Sequence, residues 1–113
     1  MAIQRSIGYD KIIGERIFKV SEYALISEKN YTTCGESFII IKDVDFCKIK
    51  LDSLNTDHIR IKSFANALLI PDMGLIDEEY EKISLSKGAC VELKLIMGNW
   101  YILSSDGLKL NLN

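Results

Sequence analysis

The feature that most constrains this chain is a two-residue alternation running from Ala89 to Gly107 and interrupted at Gly98-Asn99. Val91, Leu93, Leu95 and Met97 alternate with Cys90, Glu92, Lys94 and Ile96, and the alternation resumes from Trp100 to Ser104. Successive side chains on a strand point to opposite faces, so the pattern predicts a β-hairpin with one apolar face. Glycine and asparagine accept the positive φ that a primed two-residue loop requires. A loop at Gly98-Asn99 sets Met97 opposite Trp100, Leu95 opposite Ile102 and Leu93 opposite Ser104. Val91, Leu93, Leu95, Met97, Trp100 and Ile102 then form the core face. Asp106-Gly107 reads as a second turn, returning residues 108–112 as a further strand. Gly98, Asn99, Trp100, Asp106 and Gly107 are therefore the expected turn and core positions.

The same period recurs upstream. Residues 37–42 contain the run Phe38-Ile39-Ile40-Ile41, which predicts a strand covered on both faces. Cys47, Ile49 and Leu51 alternate inward against Lys48 and Lys50, and Ile59 and Ile61 against Arg60 and Lys62. Residues 67–70 end at Pro71, the only proline, and Pro71-Asp72-Met73-Gly74 has β-turn chemistry. Residues 77–80 read as one helical turn or an exposed loop. Nine or ten short strands with turn residues between them predict an all-β fold, a compact antiparallel β-sandwich or jelly-roll-like domain over residues 31–113. Residues 1–30 read as an N-terminal arm or as first strands, because Gly8 and Gly14 interrupt any useful helix. If an arm, it ends before about Gly14, and its apolar residues need a neighbouring subunit to cover them.

The chain has 113 residues, 48% of them hydrophobic and 27% charged, which suits one packed domain burying about 65% of its unfolded surface. A formal charge of -2 gives no basic excess, so neither nucleic acid nor an anionic membrane is an expected partner. No apolar run approaches the roughly 20 residues of a spanning helix, and no signal peptide is read at the N-terminus. Three widely spaced cysteines, Cys34, Cys47 and Cys90, predict free thiols and folding in a reducing cytosol.

Catalytic signatures are sparse. The one histidine, His58, opens an outward-facing row with Arg60 and Lys62 and is tied to no serine or cysteine by any motif. The acidic residues Asp72, Asp77, Glu78, Glu79 and Glu81 lack the alternating ligands of a calcium loop and read as a solvated charge run. No glycine cluster forms a phosphate cradle. Lys48, Lys50, Arg60 and Lys62 read first as the polar outer face of the sandwich, with a positive stripe as the other reading. No enzyme activity, cofactor or metal is expected.

From about Tyr31 onward, the order of features resembles a small β domain of structural proteins in tailed bacteriophages. It is carried by the strands 37–42, 47–52 and 58–62, by Ile83-Ser84-Leu85 leading into Gly88, and by Val91-Glu92-Leu93. Its most specific piece is Gly98-Asn99-Trp100-Tyr101-Ile102-Leu103-Ser104-Ser105-Asp106-Gly107. The acidic segment 72–81 departs from the small Gly- and Ala-rich middle of such domains. The resemblance implies a structural protein of the virion, made in the bacterial cytoplasm: a capsid decoration or auxiliary protein bound to the outer head surface as a homo-oligomer, a trimer among its closed forms. Its partners would be the major capsid protein or other virion proteins, and Ile3, Ile7, Tyr9, Ile12, Ile13 and Phe18 the assembly contact. The alternatives are a head or tail fibre component for host attachment and a small carbohydrate-binding module.

Overall fold

The computed structural model describes the backbone of residues 3–13 and 16–110 and the side chains of residues 22–108. Among these residues there is no helix, and nine strands form one continuous sheet. They are β1 Ile3–Ile13, β2 Arg16–Ile26, β3 Asn30–Thr32, β4 Phe38–Ile41, β5 Phe46–Leu51, β6 His58–Ser63, β7 Asn66–Pro71, β8 Ile83–Ile96 and β9 Asn99–Leu110. The all-β sandwich is as expected; the pairing within it is mixed. β2, β4 and β6 stack in parallel as one wall, and β3, β5 and β7 stack in parallel as the other. The chain alternates between the walls and so winds three turns of a flattened coil.

This arrangement answers a geometric difficulty. Parallel neighbours need a long crossover, since a tight turn joins only antiparallel strands. Here the opposite wall is the crossover: residues 27–37 carry the chain from β2 through β3 to β4, and residues 42–57 carry it from β4 through β5 to β6. β8 then closes the last turn. Its C-terminal half runs antiparallel to β6 and its N-terminal half antiparallel to β7, so one strand seals both walls, and β9 pairs along its outer edge.

The core is built from ladders in register. Ala24, Ile39, Ile61 and Val91 stack on one wall, and Tyr31, Ile49, Leu69 and Ile83 on the other, all facing inward and buried. Each fully buried Ile or Leu contributes roughly 1.5–3 kcal/mol. Corners satisfy their own polar groups. Buried Ser63 donates to the Ala65 carbonyl at 2.6 Å and accepts the Ala65 N–H at 3.2 Å. At the opposite corners, Thr33 Oγ1 accepts from the Asp52 N–H (2.8 Å) and from Thr56 Oγ1 (3.0 Å), and Glu36 accepts from Tyr31 Oη (2.8 Å) and the Cys34 N–H (2.9 Å). These bonds leave the buried acid paired, as burial requires.

Three expectations are corrected. The β8–β9 loop is Met97-Gly98, not Gly98-Asn99: Ile96 pairs with Asn99, Leu95 with Trp100 and Leu93 with Ile102. The slip moves partners by two positions, so Val91, Leu93 and Trp100 stay inside while Met97 leaves the core for the tip, at φ 49°. Asn99 is withheld from the loop because its Oδ1 accepts the Leu75 N–H at 3.0 Å. Asp106-Gly107 is no hairpin turn. It is a corner inside β9, where Gly107 (φ 79°) packs so tightly on Ala89 that a Cβ would lie 2.9 Å from the Ala89 Cβ. Residues 108–110 continue β9, and 111–113 lie outside the described residues. Finally, β4 is covered on one face only, since Phe38 is exposed and Ile40 half-buried.

Candidate functional site

Outward positions of the first wall fall into two rows across the strands. One reads Tyr23, Phe38, Arg60, Glu92 and Ser104 from β2 to β9; the next reads Leu25, Ile40, Lys62, Cys90 and Asp106. The face is therefore apolar over β2 and β4 and charged over β6, β8 and β9. A shallow groove of about 480 Å³ crosses the boundary, lined by Phe38, Arg60, Lys62, Cys90, Glu92 and Ser104 among others. Lys62 is committed at the groove's edge, donating to the Gly88 carbonyl at 2.6 Å with its Nζ 5.6 Å from the Phe64 ring centre.

Glu92 is the hub of the charged half. Its Oε2 lies 2.6 Å from His58 Nε2 and 3.4 Å from Arg60 Nε, and its Oε1 accepts from Ser104 Oγ at 3.3 Å. The hydrogen bond from His58 is the main cause that lowers the Glu92 pKa; partial burial opposes it and Arg60 assists. A depressed carboxylate contributes stability that is present above its ordinary value of 4.5 and is lost as the pH falls through the lower folded value. We expect Glu92→Gln to lower the urea midpoint at neutral pH, the gap from wild type closing as the pH falls below the ordinary carboxylate value of 4.5. A gap that stays constant with pH would show that Glu92 acts through packing alone. Because His58 bonds Glu92 and Glu92 bonds Ser104, the acid stands between base and hydroxyl. That order neutralises a charge and does not activate a nucleophile.

The remaining sequence-predicted residues are dispersed. Lys48 and Lys50 point outward from the second wall, whereas Arg60 and Lys62 point outward from the first, so the four form no common stripe. Among the described residues no group of acids, histidines and cysteines is placed to hold a metal ion. All three cysteines are free, and burial, with Glu28 adding, pushes the Cys47 thiol up to about 11, which keeps it protonated and inert. Trp100 is fully buried and Tyr101 half-buried, its hydroxyl donating to Glu78 Oε2 at 3.0 Å. The side chains of Ile3, Ile7, Tyr9, Ile12, Ile13 and Phe18 lie outside the described residues; their backbones belong to β1 and β2.

Those two strands make the other notable feature. β1 pairs with β2 from Ile3↔Ile26 to Ile13↔Arg16, but β2 pairs with β4 only over Tyr23–Ile26. The rest is a two-stranded ribbon running past the start of β4. Residues 72–82, read from sequence as a turn followed by one helical turn or an exposed loop, form no helix and do unexpected work on β9. The Trp100 N–H donates to the Leu75 carbonyl (2.9 Å), the Asp77 N–H to the Trp100 carbonyl (2.7 Å), and the Ile102 N–H to Asp77 Oδ1 (2.9 Å). This loop caps part of an edge strand that would otherwise be open to other chains. The only sequence signal for it was the turn at Pro71-Gly74. No protein-family model, curated protein or solved structure matches the chain.

Proposed function

We propose that this chain is a non-enzymatic structural protein of a bacteriophage virion, a decoration or auxiliary protein that binds the outer head surface as a homo-oligomer. The observation that carries the reading is the β1–β2 ribbon. An isolated two-stranded ribbon is at best marginal in water, and this one has Ile7, Ile12, Ile13, Ile17 and Phe18 in its sequence while no third strand lies beside it among the described residues. A neighbouring subunit or capsid surface supplies the missing contact. Many copies on a symmetric lattice then hold by summed contacts, each through the same patch.

The test is a chain whose ribbon is shortened by replacing residues 8–20 with a tight Asn-Gly turn, leaving the Ile3–Arg5 pairing with Ala24–Ile26 intact. Light scattering is expected to show a closed oligomer for the full chain and a folded monomer for the shortened one. A monomeric full chain, or a shortened chain that assembles as before, would overturn the assignment of assembly to the ribbon.

A further inference from the structure

One end of the coil gathers several exposed apolar side chains on a surface of linked loops. The β8–β9 tip and the corners 52–57 and 72–82 meet there: the Leu75 N–H bonds Asn99, the Ser53 N–H and hydroxyl bond Asp72 Oδ2, and the Leu95 N–H bonds the Asp57 carbonyl. From this linked surface Leu54, Met73, Ile96 and Met97 protrude with 90%, 58%, 48% and 96% of their surface exposed. Three of the four non-glycine residues with positive φ among the described residues, Asp77, Glu78 and Met97, lie on the same end. Met97 is the least expected of them. A long side chain in the left-handed region is strained, and Met97 recovers nothing by packing. Glycine would suit that turn position better.

Strain combined with near-complete exposure of an adaptable apolar side chain points to contact outside the molecule. The charge around it narrows the partner. Loops 52–57 and 72–82 carry seven carboxylates against one lysine, Lys82. An acidic rim repels anionic bilayers and favours a partner surface that carries lysine or arginine. We infer that this end, led by Met97 and Ile96, docks into an apolar pocket rimmed by lysine or arginine on a partner protein. The inference stands apart from the ribbon and from the virion assignment.

The full-length chain, labelled with ¹⁵N, would be titrated with a synthetic amphipathic Lys/Leu peptide, with its Glu/Leu counterpart, and with phosphatidylglycerol-containing vesicles. The expected result is a set of amide shifts at residues 54, 73 and 96–98 with the Lys/Leu peptide alone, weakened by added salt. Met97→Gly is expected to weaken that binding about tenfold while raising the melting temperature by a few degrees, because it removes an anchor and a strained φ together. The inference is overturned if the Lys/Leu peptide leaves these amides unmoved, if Met97→Gly binds it equally well, or if the Glu/Leu peptide or the vesicles bind as tightly. Stronger binding to vesicles would assign the tip to membrane instead.

Discussion

Replacing Trp100 with alanine is expected to destabilise the protein by roughly 3–5 kcal/mol, a large part of what a domain this size has available. Trp100 is fully buried and belongs to the hydrophobic core cluster, opposite Leu95 on β8. Its backbone also holds the 72–82 loop through both the Leu75 and Asp77 bonds. Removing the indole leaves a cavity beneath the loop that caps β9, so the loss includes the transfer of the ring and the slackening of the cap. Trp100→Phe is expected to cost far less, because the buried indole Nε1–H has no hydrogen-bond partner among the described residues, so its removal leaves no acceptor orphaned there. Urea unfolding followed by far-ultraviolet circular dichroism measures both variants, since the only tryptophan is the residue removed. A Trp100→Ala midpoint within error of wild type would contradict the packing described.

Gly74→Ala is expected to cost about 3 kcal/mol, for a reason that has nothing to do with apolar burial. Gly74 sits at φ 71°, and a Cβ there would lie 2.0 Å from the Gly98 carbonyl oxygen and 3.0 Å from Asn99 Oδ1. The clashing atom is backbone, so the loop must lift from the hairpin and give up the Leu75 bonds to Asn99 and Trp100. Gly88 is the control. Its φ is 87° but an added Cβ meets nothing within 4 Å, so Gly88→Ala should lose only the backbone term of about 1 kcal/mol. Equal losses at the two positions would mean that contact between loop and hairpin is not what the glycine protects.

Much of the fold was legible because the strands alternate cleanly. Cys47, Ile49, Leu51, Ile59 and Ile61 are buried as their spacing required, with Lys48, Lys50 and Arg60 turned outward. What alternation cannot convey is which strand lies beside which. Short, polar connections such as 52–57 ordinarily imply hairpins, and parallel pairing became possible only because each return path runs through the opposite wall. For the same reason the His58–Glu92 contact was hidden: the period placed both outward, but the β6–β8 pairing that joins them spans 34 positions. The hairpin slip has a local cause, since Gly98-Asn99 is the better loop in isolation and a loop from elsewhere claims the asparagine.

The coil also has a consequence for size. Each turn adds one strand to each wall, so a chain of this plan lengthens along a single axis in steps of about 4.8 Å, the spacing between neighbouring strands. Neither terminal device needs redesign when the number of turns changes, because among the described residues the ribbon pairs with the first turn and β8 with the last. Duplicating a stretch such as residues 42–63 would move the ribbon one step farther from the β8–β9 hairpin. The stack of turns acts as a ruler, and the gap it spans is written in the number of repeats.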